Sequence, residues 1–255
     1  MNHEDRILNI PELLNTRDLG GLPVEGGGET KFGRIIRGPG VDFLKQPGVD
    51  ALIDGLGITR ELDLRDGVSG QRGPKSLLAQ QVAERHQISA YREDDMIAAV
   101  ERFGQEAEWG HVRDFSRALA TAPGVRAILA LLADDSNRPA YVHCTLGKDR
   151  TGMICGAVLA AIGVPREAVV EDYALSKRDL DAWFVQAIAA SDRARKLFES
   201  ATPTALRSFK SAAPENMEKM LQGLDEQYGS PADYIRSLAG GDAILAGLRR
   251  KLVEA

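Results

Sequence analysis

Residues 143–152 read His-Cys-Thr-Leu-Gly-Lys-Asp-Arg-Thr-Gly, and this stretch decides the fold of the chain. It follows the apolar run Ala140-Tyr141-Val142, which predicts a short buried strand, and precedes the apolar segment Met153 to Ile162, which predicts a buried helix. The stretch is therefore expected to be a strand-to-helix loop. Backbone N–H groups at a helix start lack intrahelical partners, and the helix dipole favours negative charge there. The sequence thus predicts a phosphate site.

Two side chains of this loop carry the chemistry. The field at a helix start lowers the pKa of a thiol from its free value of about 8.5, so Cys144 is expected to be a nucleophilic thiolate. Arg150 offers a planar fork that holds two phosphate oxygens, and it should bind the transition state more tightly than the ground state. The Thr151 hydroxyl is placed to stabilise the departing thiolate. The residues expected to line the phosphate are Thr145, Leu146, Gly147, Lys148, Asp149 and Arg150.

Three other kinds of protein have loops that share features with this one. A nucleotide-binding P-loop also contains Gly-Lys, but it needs glycine at Val142 and Ser or Thr at Asp149, so it is excluded. A noncatalytic phosphate-binding module would use Arg150 and the amides but has no need of Cys144. A rhodanese-like sulfurtransferase also uses a loop cysteine, although its usual loop is one residue shorter. The last two remain open alternatives to a phosphatase.

The loop resembles the active-site loop of the cysteine-based protein tyrosine phosphatases, in which His-Cys is followed by five residues, Arg, and Ser or Thr. Its Gly-Lys-Asp-Arg-Thr-Gly version is similar to that of an atypical bacterial branch of the family. The resemblance extends over most of the chain through Asn15-Thr16-Arg17-Asp18-Leu19-Gly20-Gly21, Asp63-Leu64-Arg65, Glu171-Asp172-Tyr173 and Tyr228-Gly229-Ser230. Arg37-Gly38 departs from the Arg-Ser that is common in the family.

This resemblance implies two-step hydrolysis through a phosphocysteine, in which a carboxylic acid protonates the leaving oxygen. Asp149 is the first candidate for that acid. Asp63 and Asp66 follow a predicted strand end and are further candidates, whereas Asp94-Asp95 is more simply interpreted as a solvated charge run. Arg65 is an alternative partner for Asp149 that would hold it ionised.

The remaining site predictions concern the loop's flanks and the substrate. His143 is expected to hydrogen-bond the loop backbone and tune the thiolate. Lys148 is either a surface lysine or a point charge at the loop rim, and the resemblance links such charge to phosphoinositides. The substrate class therefore stays open between phosphotyrosine, phosphoserine or phosphothreonine, and phosphoinositides, with inorganic phosphate as product. No cofactor or metal is expected, because the four histidines, His3, His86, His111 and His143, are too scattered for a ligand cluster.

Composition is ordinary for a globular enzyme. The chain has 255 residues, 44% of them hydrophobic, and is predicted to be a single phosphatase domain over residues 1–255. Its formal charge of −5 argues against nucleic acid as a partner. No apolar stretch is long enough for a membrane span, and no signal-peptide core is visible, so a cytoplasmic location is expected; secretion without a recognisable signal stays open. Cys155 is predicted to be buried packing without a disulfide to Cys144.

The pattern of apolar runs and breakers predicts an α/β fold, a central mixed sheet covered by helices with a helical C-terminal third. The predicted elements are a hairpin around Gly26–Gly28 with its second arm at Phe32 to Arg37, a strand at Arg60 to Leu64, helices at Phe115 to Ala122 and Val125 to Leu132, helix starts at Pro214 and Pro231, and helix ends at Gly163, Gly229 and Gly240. Ser176 to Ala213 predicts one or two amphipathic helices. These are either core or, as the resemblance implies, a lid.

Overall fold

A computed structural model describes residues 4–65, 76–91, 115–134, 138–190, 192–199 and 201–253. Within these residues five strands form one sheet: β1 (Arg17–Asp18), β2 (Ile35–Gly38), β3 (Arg60–Asp63), β4 (Glu84–Gln87) and β5 (Ala140–His143). The spatial order is β1-β2-β5-β3-β4. Only β1 runs antiparallel to its neighbour, and the other three pairings are parallel. The predicted mixed α/β fold is confirmed.

Helices cover the sheet and make up the C-terminal part of the chain. In chain order the described α-helices are α1 (Gln46–Asp50), α2 (Leu77–Gln81), α3 (Phe115–Thr121), α4 (Val125–Ala133), α5 (Asp149–Ile162), α6 (Arg166–Ala174), α7 (Lys177–Ala190), α8 (Asp192–Glu199), α9 (Pro203–Phe209), α10 (Pro214–Tyr228), α11 (Pro231–Ser237) and α12 (Gly241–Leu252). None of them alone is long and apolar enough to cross a membrane; α3 and α4 together reach that length and composition, across an 88° bend.

The central strand β5 delivers the loop to one edge of the sheet. Its last residue, His143, lies opposite Gly38 at the end of β2 and opposite Asp63 at the end of β3. Because the three strands are parallel, their carboxyl ends meet at this edge, where ligands bind in open α/β sheets. The loop that follows β5 therefore starts between the chain segments that follow β2 and β3.

Helix α5, which follows the loop, is the central helix of the core. Nearly all of its residues are buried, because its side chains are apolar or small on every face. Close packing depends on its glycines: a Cβ at Gly156 would lie 2.7 Å from the Met217 sulfur of α10. The helix ends at Gly163, whose φ of +101° is a left-handed conformation that glycine adopts without strain. Cys155 lies within α5, buried and free of any disulfide, as predicted.

Most predicted elements are found within a residue or two of their expected bounds, but three predictions were wrong. The hairpin's second arm is strand only from Ile35, and it pairs with β1; the Gly26–Gly28 turn is closed by the isolated bridge of Pro23 with Glu29. Gly240 precedes helix α12 as its N-cap instead of ending a helix. The segment 176–213 holds three helices, α7 to α9. The short elements α1 and β4 carry no clear periodic signal and were not predicted.

Helices α7 to α9 share a small aromatic cluster of their own. The Phe184 ring of α7 lies 4.5 Å from the Phe198 ring of α8 and 5.1 Å from the Phe209 ring at the end of α9, measured between ring centroids. The buried part of this cluster is distinct from the main core, although Trp183 and Phe209 also pack against that core. The three helices therefore form a subassembly attached to the rest of the protein along one side.

Candidate active site

Three successive carbonyl groups of the loop are held by donors from outside it. These hydrogen bonds run from the Gly40 amide to the Thr145 carbonyl (3.1 Å), from the Asn15 side chain to the Leu146 carbonyl (2.8 Å) and from the Arg37 guanidinium to the Gly147 carbonyl (2.9 Å). Because the C=O and N–H of a planar trans peptide point in opposite directions, the next amides along the chain are turned the other way. The loop thereby offers a row of N–H groups to an anion.

Two glycines make this conformation possible. Gly147 has a φ of +66°, and a Cβ there would lie 2.3 Å from the Gly38 carbonyl oxygen. A Cβ at Gly38 would itself lie 2.2 Å from the Tyr141 hydroxyl, which donates a hydrogen bond to the Pro39 carbonyl. The departure from the Arg-Ser pattern at residues 37–38 therefore has a steric cause: the Tyr141 hydroxyl and, at 2.7 Å, the Thr16 hydroxyl occupy the space that a serine side chain would need.

A buried charge cluster lies beneath the loop. Asp172 of helix α6 accepts hydrogen bonds from Arg6, from Arg17 (3.1 Å) and from Arg37 (2.6 Å), and all four side chains are almost fully buried. Three cations hold the pKa of the Asp172 carboxyl far below its usual range, although burial opposes them. Burial and the Arg37 charge lower the pKa of Arg17 to about 10, so it remains a cation at neutral pH. The cluster braces the loop through Arg37 and leaves a surplus of positive charge next to it.

Cys144 begins the loop and is 3% exposed. Burial alone would raise the pKa of its thiol, but the Arg150 charge and hydrogen bonds from the Thr151 side chain and amide outweigh burial and lower that pKa. Among the described residues the buried Thr151 hydroxyl has no partner at strict hydrogen-bond geometry, so its contact with the sulfur is a loose one. The thiolate form of Cys144, which is the nucleophilic form, is thus favoured.

Arg150 points back over the loop from the first turn of α5. Its Nη2 donates to the Thr145 hydroxyl (3.2 Å), and its guanidinium lies 5.9 Å from the centre of the Tyr91 ring. Burial and the nearby Asp149 carboxylate raise the pKa of Tyr91 well above its ordinary value, so the phenol stays neutral. The Tyr91 ring is a wall of the site, and no motif in the sequence indicated it.

Asp149, the expected acid, is held at both carboxylate oxygens. The Tyr173 hydroxyl donates to its Oδ1 (3.3 Å), and the Lys148 ammonium lies 3.4 Å from its Oδ2. Neither contact was predicted. Lys148 itself is 1% exposed and donates to the carbonyls of Phe209 (2.6 Å) and Ser211 (2.9 Å). The expectation of a surface lysine was wrong, because the segment after α9 buries the Lys148 ammonium, and the expectation of a charge at the loop rim stays a prediction.

Asp63 is fully buried at the end of β3 and is not placed to donate a proton. Its carboxylate accepts two 2.8 Å hydrogen bonds from the Arg65 guanidinium. Burial would raise the pKa of Asp63, but the charges of His143 and Arg65 outweigh it and lower that pKa. Arg65 also pairs with Asp42, so the alternative in which it holds Asp149 is wrong. The further candidates Asp66, Asp94 and Asp95 lie outside the described residues, as do His3 and His111.

His143 orients the start of the loop. Its Nδ1 donates to the Cys144 carbonyl (3.3 Å), and its Nε2 donates to the Glu61 carboxylate (3.0 Å). Burial opposes the protonated form, but Asp63 and Glu61 outweigh it and raise the pKa of His143. Glu61 was not predicted, although period-two alternation along β3 places it on the same face as Asp63.

Glu61, Asp63 and His143 are also close enough together to be considered as a metal site. The guanidiniums of Arg65 and Arg85 lie against this group, with Arg85 3.5 Å from each of the two carboxylates. Both ring nitrogens of His143 are engaged as donors, and two arginines already supply positive charge. The donor set therefore does not fit a divalent cation and fits a network that fixes His143.

Comparisons with known proteins also relate this chain to phosphatases. The chain matches the model of the tyrosine phosphatase family over residues 8–254. The chain belongs to the tyrosine phosphatase family. A triple specificity protein phosphatase, PtpB of Mycobacterium tuberculosis, is 24% identical over 203 residues, which are 76% of this chain and 64% of that protein. A tyrosine-protein phosphatase of Nostoc commune is 24% identical over 202 residues, 78% of this chain and 68% of that protein. The match thus covers just under two thirds of the mycobacterial member of the tyrosine phosphatase family.

Proposed function

We propose that this chain is a metal-independent phosphatase that hydrolyses phosphate monoesters through a phosphocysteine intermediate. The observation that carries the proposal is the loop itself, which combines carbonyls held by donors outside the loop, a thiol of lowered pKa and an arginine whose charge lowers that pKa. Membership of the tyrosine phosphatase family supports the same activity. A noncatalytic phosphate site would not need a cysteine whose thiolate is stabilised. The sulfurtransferase alternative receives no support from the comparisons.

In the first step the Cys144 thiolate attacks phosphorus and forms an S–P bond while the bond between phosphorus and the ester oxygen breaks. Arg150 and the loop amides bind the phosphoryl oxygens, which carry the charge in the transition state. Asp149 donates its proton to the leaving oxygen, so the alcohol departs neutral. Asp149 is the acid in this proposal because it lies partly exposed beside Arg150, whereas Asp63 is ionised and sealed by Arg65.

In the second step water attacks the phosphocysteine. The Asp149 carboxylate accepts a proton from that water, the S–P bond breaks, and inorganic phosphate leaves. Cys144 departs as a thiolate, which the Arg150 charge and the Thr151 hydroxyl stabilise. The same groups that lower the pKa of the thiol in the free protein therefore make it a better leaving group here.

We further propose that residues 176–213 act as a lid. Cys144 is 3% exposed, so little of this residue is open to solvent. Helices α7 to α9 have their own aromatic cluster, and Lys148 joins the end of α9 to the loop. Loosening this segment should change KM for a bulky phosphopeptide more than KM for a small aryl phosphate. Equal changes for both substrates would contradict a lid.

For the substrate we propose phosphotyrosine first, because the family and a named relative are tyrosine phosphatases. Phosphoinositides are the second candidate, favoured by a hollow lined by Lys177, Arg207 and Lys210 together with Leu206 and Ser211. Asp181 pairs with both lysines, so a lipid phosphate would compete with this carboxylate. The proposed lipid contacts lie in this hollow and not at Lys148, because carbonyl groups engage the Lys148 ammonium. Replacing Lys177 and Lys210 with Gln should lower activity on phosphoinositide vesicles selectively; equal loss on a phosphotyrosine peptide would contradict the lipid candidate.

The experiment that tests the activity is phosphate release from a small aryl phosphate in the presence of EDTA. Wild type and Cys144→Ser are compared at matched concentration, with thiosulfate turnover as the assay for the sulfurtransferase alternative. The proposal expects activity that resists EDTA and vanishes in Cys144→Ser. Activity that EDTA abolishes, or that Cys144→Ser retains, would overturn it.

A further inference from the structure

The ammonium of Lys148 has three oxygen neighbours from two distant parts of the chain. It donates to the Phe209 carbonyl at 2.6 Å and to the Ser211 carbonyl at 2.9 Å, and it lies 3.4 Å from Asp149 Oδ2. The ammonium also lies 5.5 Å from the centre of the Phe209 ring. A lysine side chain has three N–H donors, and here each has an oxygen within reach inside the protein. Lys148 thus links the phosphate loop to residues 209–211, which form the α9–α10 junction.

The other oxygen of Asp149 has its own support. Tyr173 donates to Oδ1 at 3.3 Å, and its hydroxyl lies 3.5 Å from the Asn216 amide of α10. The Tyr173 ring packs edge-on against Phe115, with 5.9 Å between centroids. A Cβ at Gly152 would lie 2.7 Å from this ring, so the ring sits directly on α5. Tyr173 is therefore a fixed support for the carboxylate.

We propose that Lys148 is a positioning residue for Asp149, and that it makes proton transfer depend on the conformation of residues 209–211. The proposal rests on the proposed function, in which Asp149 is the acid. With Tyr173 on Oδ1 and Lys148 on Oδ2, the carboxyl group is held in one orientation. If the Phe209 and Ser211 carbonyls move away, Lys148 loses the partners that fix it, and Asp149 loses one of its two supports. Lys148 acts on catalysis through Asp149 and not by binding phosphate.

Substrates whose leaving groups differ in basicity distinguish positioning of Asp149 from direct phosphate binding by Lys148. A poor leaving group such as phenol needs a proton in the transition state, whereas 4-nitrophenol departs with little help. Lys148→Met should lower kcat for phenyl phosphate at least about tenfold and kcat for 4-nitrophenyl phosphate by less than about threefold. The inhibition constant of inorganic phosphate should stay unchanged. Lys31→Met is the matched control, because Lys31 also donates to a distant carbonyl, that of Arg250, but on the surface away from the loop.

A second measurement needs no activity. Hydrogen exchange of the amides in residues 203–216 should be faster in Lys148→Met than in wild type, and unchanged in Lys31→Met. Tyr173→Phe serves as a second variant, since it keeps the ring packing and removes the hydroxyl that contacts Asp149 Oδ1 and the Asn216 side chain. It should show the same dependence on the leaving group, with exchange unchanged at residues 203–211. The hydrogen-exchange result does not depend on activity. An inactive wild type would therefore refute the proposed function and leave the contact between Lys148 and residues 209–211 to be tested by exchange.

Two results would overturn the positioning role. One is a loss of similar size for both aryl phosphates together with a raised inhibition constant for phosphate, which would make Lys148 a phosphate ligand. The other is unchanged hydrogen exchange at residues 203–216 in a folded Lys148→Met protein, which would show that Lys148 does not hold the junction.

Discussion

Arg37 and Asp172 form a 2.6 Å ion pair that joins strand β2 to helix α6 beneath the phosphate loop, and neither side chain reaches solvent. The same arginine donates to the Gly147 carbonyl. Asp172 therefore supports the shape of the loop through one intermediate side chain. Asp172 also pairs with Arg6 and Arg17. Its negative charge therefore offsets part of the desolvation cost of burying all three arginines.

Asp172→Asn should destabilise the protein strongly. Removing one partner of a buried ion pair costs about 3–5 kcal/mol, because the other charges stay buried without compensation. Urea unfolding at neutral pH measures this change. Asp225→Asn is the control, since Asp225 pairs with Arg166 of the same helix α6 but at the surface, and its loss should change stability little. Similar values for the two variants would contradict the bracing role.

The effect of Asp172 on stability should also depend on pH. Its pKa is lower in the folded protein than in the unfolded chain, where it is about 3.9. The ionised Asp172 carboxylate therefore contributes its full share to the free energy of unfolding above the unfolded pKa of about 4. That contribution is lost as the pH falls from there through the lower pKa of the folded protein. The difference in free energy of unfolding between wild type and Asp172→Asn should stay constant from about pH 7 to 5 and narrow only in stronger acid. A difference that narrows near neutral pH would contradict the charge assignment.

Alkylation by iodoacetamide should distinguish the two cysteines. The pKa of Cys144 is lowered, so its modification should persist below the pH at which an ordinary thiol reacts. Burial raises the pKa of Cys155 to about 11, and that residue should stay unmodified in the folded protein. Rates measured against pH in a Cys155→Ala background give the midpoint for Cys144. Thr151→Val should move that midpoint upward, and an unmoved midpoint would show that the Thr151 hydroxyl does not stabilise the thiolate.

Asp149→Asn and Asp63→Asn should both lower activity, but for different reasons. Asp149→Asn should lower kcat at least about tenfold for a poor leaving group while phosphate still binds, because only proton transfer is lost. Asp63→Asn should lower the free energy of unfolding by about 1–3 kcal/mol, because the buried Arg65 loses its charged partner at residue 63, although it keeps Asp42 and His143 keeps Glu61. The fall in its activity should not depend on the leaving group. A leaving-group dependence in Asp63→Asn alone would move the acid to that residue.

Gly38→Ser should destabilise the protein by about 1–3 kcal/mol, because its Cβ would overlap the Tyr141 hydroxyl. In a Tyr141→Phe background the same change should cost less, since the nearest overlapping atom is gone, while the Thr16 hydroxyl at 2.7 Å and the ring carbon Cζ at 2.9 Å still crowd the Cβ. A thermodynamic cycle of the four proteins measures the coupling between the two sites. Additive effects would mean that something other than this hydroxyl excludes a side chain at residue 38.

The strand-to-helix loop was predictable because its information is local. The apolar run before Cys144 and the small apolar residues after Gly152 each determine one element, and the spacing of Cys144 and Arg150 falls within one loop. The pairing of Arg65 with Asp63 could also have been predicted from the sequence. Residues two apart on an extended chain lie on the same face, which places these two side chains next to each other. The alternative that paired Arg65 with Asp149 overlooked that local geometry.

The burial of Lys148 was not predictable from local pattern. Its two carbonyl partners are main-chain atoms, which carry no side-chain signature, and they lie 61 and 63 residues further along the chain. The cluster around Asp172 is likewise assembled from residues 135 to 166 positions apart. Such contacts depend on how helices α6 to α10 pack, and periodicity within each helix does not determine that packing.

The central claim is that Cys144 carries the phosphoryl group during turnover. Asp149→Asn should slow hydrolysis of the intermediate, so this variant is mixed with 4-nitrophenyl phosphate, quenched in acid and digested for mass spectrometry. The account predicts that the peptide containing Cys144 gains the mass of one phosphoryl group, and that this adduct is absent in Cys144→Ser. Steady turnover with the phosphoryl group on no cysteine, or on Cys155, would contradict the account.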